Sequence, residues 1–253
     1  MSSLRATVED YISVWRLIDF GDLQEILIRS RGIHPNQFYD LMCRLRKSKK
    51  IIPFKKNSFH LIFDPKWENR HKYLQLGDQS KIKTLLSRSG MSHHVGISKI
   101  GIQLRILIQD CEVRPVFNID RSLASGGAGS IETNYSPDIV LSLTDKRDLF
   151  YLEFERSMKA KGRYTDRWID YESNPLVKSC LYFVDRIEVQ NRLRLLICDY
   201  FKNCSDGSDF CIGLVPVNGR VISKRFEIFG GKAKKHLELI DYFESHRRGD
   251  FSL

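Results

Sequence analysis

The sequence predicts a chain of class α+β or α/β in two parts, a small helical module closed by a β-hairpin and a larger mixed-sheet domain. Three observations predict it. Apolar residues recur at helical spacing through the first fifty positions; two short strand-like runs follow directly; and beyond residue 90 apolar runs that read as strands are interspersed with helical segments. The 253 residues are enough for a small domain joined to a medium one. The expected boundaries are 1–65 for the front module, 66–90 for a polar, basic linker with a short helix near Ile82 to Leu86, and 91–253 for the second domain.

The front module reads as helix, helix, helix, hairpin. Thr7 with Asp10 has the spacing of a capping box, and Val8, Tyr11, Ile12, Trp15 and Ile18 would line the inner face of the first helix. Asp22 with Glu25 opens a second, short helix that ends near Gly32. The third starts after Pro35 and carries Phe38, Leu41, Met42 and Leu45 on one side. Strands Ile51 to Phe54 and Ser58 to Phe63 flank a polar turn at Lys55-Lys56-Asn57.

Three helices and a basic β-turn predict a winged helix-turn-helix, whose third helix enters the DNA major groove while the wing touches the flanking backbone. Asn36, Gln37, Tyr39, Asp40 and Arg44 are the candidate groove-facing residues; Lys49, Lys50, Lys55 and Lys56 are the candidate phosphate contacts, and Arg46 and Lys47, crowding the end of the third helix, are further DNA-binding candidates. Between Arg31 and Lys56 stand eight Lys/Arg and one acid, so this stretch supplies much of the net charge of +10. A basic excess attracts polyanions. A protein-interaction winged helix with a solvated basic rim is the alternative.

Composition bounds the rest. The apolar fraction of 42% and aromatic fraction of 11% are those of a packed protein. No apolar run approaches the roughly 18 residues of a membrane helix, and Met1 to Asp10 lacks the order of a signal peptide, so a soluble, cytoplasmic protein is expected. The six cysteines, Cys43, Cys111, Cys180, Cys198, Cys204 and Cys211, form no CxxC pair and read as reduced thiols; Leu195 to Cys198 reads as a buried strand.

The second domain should open with a helix, Ile97 to Gln109, an extended stretch, Val113 to Ile119, and a Gly/Ser-rich loop, Ser122 to Ser130. A strand from Asp138 to Leu143 then turns at Asp145 to Asp148 into Leu149 to Glu155. Side chains alternate along a strand, so Glu153 and Glu155 share a face, and Asp138 can lie across from them. Three converging carboxylates call for a cation; a divalent ion with oxygen ligands, Mg2+ or Mn2+, would polarise a phosphodiester and lower the pKa of an attacking water. The same acids could instead pair with the basic segment that follows, Lys159, Lys161, Arg163 and Arg167.

Pro137-Asp138, a hairpin, Glu153-x-Glu155 and a basic helix resemble the PD-(D/E)XK nucleases, a restriction-endonuclease-like mixed-sheet fold. Glu155 stands where that motif has its lysine; related nucleases carry the lysine on the next helix, where Lys159 is the first candidate and Lys161 the second. Three stretches resemble the MobC-type relaxases and the related replication-relaxation proteins more closely: His93 to Ile100, Pro137-Asp138, and Leu152 to Tyr164. Lys178 to Val184 and Arg192-Leu193-Arg194 are similar to that family's following segments. The resemblance implies a DNA relaxase that nicks one strand at the transfer origin of a mobile element during plasmid mobilisation and conjugation. Asp138, Glu153 and Glu155 would bind metal and Lys159 would assist; Lys161 and Arg163 would touch double-stranded DNA, and accessory mobilisation proteins are possible partners.

Two rival functions stay open, a non-catalytic replication or transcription factor with a nuclease-like domain, and a restriction or anti-phage nuclease. Tyr164 as a covalent nucleophile and His93-His94 as metal ligands or general base are weighed and set behind packing and hydrogen-bonding roles. The remaining chain reads as strands Arg194 to Tyr200, Phe210 to Pro216 and Val221 to Phe229, with Gly230-Gly231 ending the sheet. A last amphipathic helix runs from Lys235 to His246, its Leu237, Leu239, Ile240 and Phe243 packing against the core.

Overall fold

The computed structural model describes residues 3–15, 17–56, 59–63, 88–116, 135–144, 146–203, 209–219, 221–231 and 233–253. It is a mixed α+β chain with seven helices among the described residues, divided into two compact units, 1–102 and 103–253. No described helix is long and apolar enough to cross a membrane. The expected linker helix near Ile82 to Leu86 and the loop Ser122 to Ser130 lie outside the described residues.

In the first unit the order is α1 (Leu4–Trp15), β1 (Leu17–Asp19), α2 (Phe20–Arg31), α3 (Pro35–Lys47), β2 (Ile52–Lys56) and β3 (Phe59–Phe63). The strands form one antiparallel sheet in the order β1-β3-β2. Helix α1 buries Val8, Tyr11, Ile12 and Trp15 as the periodicity predicts, but two caps differ. Ser3, not Thr7, caps α1, its Oγ accepting from the Ala6 amide at 3.2 Å. Asp19, not Asp22, caps α2, its Oδ1 accepting from the Asp22 amide at 3.0 Å. A capping oxygen must precede the helix and reach an orphan amide of its first turn; Thr7 and Asp22 already lie inside. Ile18 likewise falls in β1, a three-residue strand too short to show a period, and is buried there. Gly32 closes α2 at φ 62°, the left-handed conformation its missing Cβ permits, and Pro35 starts α3 as expected.

Helix α4 (Arg88–Leu107) starts nine residues earlier than the predicted Ile97, and the division between the units falls inside it. Within the first unit Ser98 Oγ donates to the Leu17 carbonyl at 2.7 Å.

The second unit is built on an open mixed sheet. Its strands are β4 (Cys111–Pro115), β5 (Ile139–Leu143), β6 (Leu149–Glu155), β7 (Val177–Val184), β8 (Cys211–Asn218), β10 (Arg225–Gly230) and β11 (Ala233–Glu238), in spatial order β11-β10-β8-β7-β6-β5-β4, with β9 (Val221–Ile222) beside β8. Pairs β6·β7 and β7·β8 are parallel and the others antiparallel. The two parallel crossovers carry α5 (Lys161–Glu172) and α6 (Ile187–Asn203); α7 (Leu239–Arg248) follows β11. The alternation of β6 sorts its side chains between two covered faces. Phe150 meets Tyr242 and Phe243 of α7, with ring centroids 6.0 and 5.0 Å apart, whereas Tyr151 meets Tyr171 of α5 at 4.7 Å.

Three predicted elements of this unit are corrected. Arg194 to Tyr200 is helix, not strand: Val189, Leu193, Ile197 and Phe201 are buried four residues apart while Leu195 is 69% exposed, and a four-residue apolar run cannot by itself separate the two periods. Lys235 to Glu238 is strand, because each residue from Ala233 to Glu238 pairs with β10, and the last helix begins only at Leu239. Gly230-Gly231 does not end the sheet but turns β10 into β11, Gly231 taking φ 52°.

Candidate functional site

The site is assembled on the face of β6 that meets α5. Asp138, just ahead of β5, straddles β6: its amide donates to the Leu152 carbonyl at 3.1 Å and its Oδ2 accepts from the Phe154 amide at 2.8 Å. This brings Asp138 close enough to Glu153 to act on its titration. Glu153 and Glu155 are each 3% exposed, and both turn toward α5, as the period of two predicts.

Helix α5 buries Tyr164, Arg167, Trp168 and Tyr171 at the i, i+3, i+4, i+7 positions of one stripe. Tyr171 donates its hydroxyl to Glu153 Oε1 at 2.8 Å, and Arg167 Nη1 stands 2.6 Å from Glu153 Oε2. Arg167 Nε and Nη1 are buried without hydrogen-bond geometry, so the contact with Glu153 is one of charge rather than of aligned donors. The guanidinium also lies 5.8 Å from the centroid of the Tyr135 ring. Lys159, in the segment before α5, places Nζ 2.8 Å from Glu155 Oε2, and its amide donates to the Tyr164 hydroxyl at 3.1 Å. Around these groups Trp168 donates to the Tyr182 hydroxyl at 2.9 Å, and the Cys180 thiol is fully buried.

Burial, and after it the neighbouring Asp138, push the Glu153 carboxyl up to about 8, against Arg167, Tyr171 and Lys159, which pull it down. A carboxyl raised above its unfolded value of 4.5 favours folding while protonated. That contribution is complete below about 4.5 and is lost as pH rises through about 8. The unfolding free energy of the wild type is therefore expected to decline between those values by a component that Glu153→Gln removes. Urea unfolding at several pH values checks this, and an identical slope in the variant would assign the decline elsewhere.

The predicted residues do not all meet here. Lys161 turns instead to Asp199 of α6, 3.1 Å away, and Arg163 is exposed. The cation that reaches Glu153 from the helix is Arg167, which sequence reasoning named only as one possible salt-bridge partner; its position on the Tyr164–Tyr171 stripe was the readable signal. Tyr164 is 1% exposed and packs against Trp168 and Tyr182. Among the described residues, no group of three or more His, Cys, Asp or Glu side chains is close enough to hold a metal ion. The cysteines described, Cys43, Cys111, Cys180, Cys198 and Cys211, are free thiols.

In the first unit α3 presents Asn36, Gln37, Tyr39, Asp40, Arg44, Arg46 and Lys47 to solvent and buries Phe38, Leu41, Met42 and Leu45. Lys49 and Lys50 are exposed beyond its end, Lys50 lying 3.3 Å from Glu9. Lys55 and Lys56 close strand β2.

No protein-family model, curated protein or solved structure matches the chain.

Proposed function

We propose that this protein is a cytoplasmic DNA-binding nuclease in which a winged-helix unit recognises double-stranded DNA and a PD-(D/E)XK-like unit nicks it with the help of a divalent ion. The observation that carries the proposal is the bracing of Asp138 across β6 beside Glu153, with Glu155 two residues on and a cationic, aromatic helix stripe over them. Supporting it are the connectivity β4-β5-β6-α5-β7, three antiparallel strands followed by a helical crossover to a parallel one, and, in the first unit, the order α1-β1-α2-α3-β2-β3. The resemblance of Leu152 to Tyr164 to the MobC-type relaxases narrows the proposed reaction to one strand at a transfer origin.

The donors suit a hard cation such as Mg2+ or Mn2+ in kind: all are carboxylate oxygens. Asp138 and Glu153 would hold the ion, and Glu155 would join them only by moving off Lys159, since the three are not close enough as they stand; when bound, the ion would supply polarisation of the phosphodiester and a more acidic attacking water. The chain's own groups do the rest. Tyr171 orients the Glu153 carboxyl, Arg167 offsets its charge, and Lys159 sits beside Glu155, partly exposed, where a phosphate oxygen can be met.

One observation favours a second reading. Arg167 and Tyr171 together engage both Glu153 oxygens, as they would in a DNA-binding protein that keeps the fold without the chemistry. Incubating the full chain with supercoiled plasmid, with Mg2+, with Mn2+ and with chelator, separates the two. A single metal-dependent nick supports the first; duplex binding without any cleavage leaves the second; double-strand breaks would indicate a restriction-type nuclease.

The DNA-binding half is tested independently. Affinity for duplex should fall linearly on a logarithmic salt scale, and charge reversal at Lys49 and Lys50 should flatten that slope by about 2, as two phosphate contacts are lost. An unaltered slope would mean that this unit binds protein instead.

A further inference from the structure

On the sheet of the second unit, Glu153 pairs with Tyr182, Tyr182 with Leu214, Leu214 with Glu227, and Glu227 with His236. Residues paired directly across strands share a face. Glu227 and His236 therefore stand on the face that carries Glu153, three and four strand spacings away, so that His236 is about 19 Å from Glu153 across the sheet.

Glu227, 13% exposed, gathers three cationic or protonatable groups. Arg194 of α6 bonds to it through Nε at 2.7 Å, Lys234 Nζ lies at 3.3 Å and His236 Nε2 at 3.8 Å. Burial alone would raise this carboxyl, yet Arg194 and then Lys234 hold it below its usual value. One carboxylate cannot balance two permanent cations, so the cluster keeps an outward positive charge while its side chains are held in place.

The middle of the strand that carries it faces solvent. Lys234, Lys235 and His236 are exposed in succession in the middle of β11, the last strand of the sheet. Between Lys224 and Glu238 the chain has five Lys/Arg against two acids. Lys235, on the opposite face, is committed to the Ser252 carbonyl at 2.9 Å, which leaves Lys234 and His236 beside Arg194 as the groups presented.

We propose that Arg194, Lys234 and His236, ordered by Glu227, form a phosphate-contacting patch for the backbone of the DNA duplex that the Glu153 site acts on. The patch rests on the DNA-binding reading and deepens it. Phosphates ask for cations that are partly exposed and already oriented, and Lys234 and His236, exposed on the last strand and held beside the Glu227 carboxylate, are such groups.

The test uses the full chain and a fluorescent duplex without metal, titrated at several salt concentrations, with Lys234→Gln/His236→Gln as the variant. Both side chains are exposed, so the thermal midpoint should hold. The expected result is binding weaker by roughly tenfold and a salt slope shallower by about 1 to 2. Unchanged affinity and slope, while Lys49→Gln/Lys50→Gln still weakens binding, would overturn the patch and leave DNA binding intact. A lowered thermal midpoint with unaltered affinity would also overturn it, making the cluster a staple between α6 and the β10–β11 hairpin. Failure of the unmodified chain to bind duplex at all would remove the patch together with the reading it rests on.

Discussion

Arg167→Met should lower the stability of the second unit by about 3 kcal/mol at pH 9, where Glu153 is ionised, the range in which removal of one partner from a buried ion pair falls. The guanidinium is 7% exposed and the Glu153 carboxylate 3%, so neither can turn to water when the other is removed. Methionine fills much of the volume but offers no charge, and Glu153 then keeps only the Tyr171 hydroxyl. Protonation relieves part of the cost. Because the wild-type carboxyl releases its proton only near 8, the deficit of the variant should widen by roughly 1 kcal/mol between pH 8 and pH 9. Glu153→Gln/Arg167→Met should recover most of the loss, since a neutral pair needs no compensating charge. Denaturant unfolding of the three proteins at pH 6, 8 and 9 checks all of this. A deficit independent of pH, unrepaired in the double variant, would show that Arg167 acts by packing alone.

The second large effect concerns the proposed reaction. Asp138→Asn is expected to reduce plasmid nicking by at least about a hundredfold, the equivalent of the several kcal/mol that a well-held cation contributes to phosphodiester cleavage. Duplex affinity should be unaffected. The substitution is nearly isosteric, and the amide oxygen can still accept from the Phe154 amide that Asp138 Oδ2 engages at 2.8 Å, so the brace between β5 and β6 survives while a negative donor is lost. Relief of its repulsion should also let the Glu153 carboxyl settle lower, toward the ordinary range. Glu153→Gln should match the loss of nicking, whereas Lys161→Gln, whose side chain lies on Asp199, should leave nicking within about twofold. Full nicking by Asp138→Asn would remove this carboxylate from the proposed chemistry.

Much of this was legible before any coordinates. The strands Asp138 to Leu143 and Leu149 to Glu155 carry apolar runs with turn residues between them, and both form within a residue of where they were read. Glu153 and Glu155 share a face because two residues in a strand always do. The three front helices announced themselves through their apolar spacing, through Gly32 and through Pro35. What escaped were the features that depend on distant partners. The Lys234-Lys235-His236 segment has no strand-like pattern and becomes β11 through its ladder with β10. The run Leu195 to Cys198 was too short to choose between periods, and the longer stripe Val189, Leu193, Ile197 and Phe201 decided for helix.

By itself, the sequence determined which carboxylates share a face, where basic side chains concentrate, and which stretches must be buried, because these follow from spacing and from the dislike of apolar groups for water. Tertiary structure alone decided which cation answers which acid. Arg167 reaches Glu153 only because α5 crosses back over β6 with that stripe turned inward, while Lys161, on the same helix, falls to Asp199 of α6. Charge selects partners by distance, and distance between elements is set by how they pack.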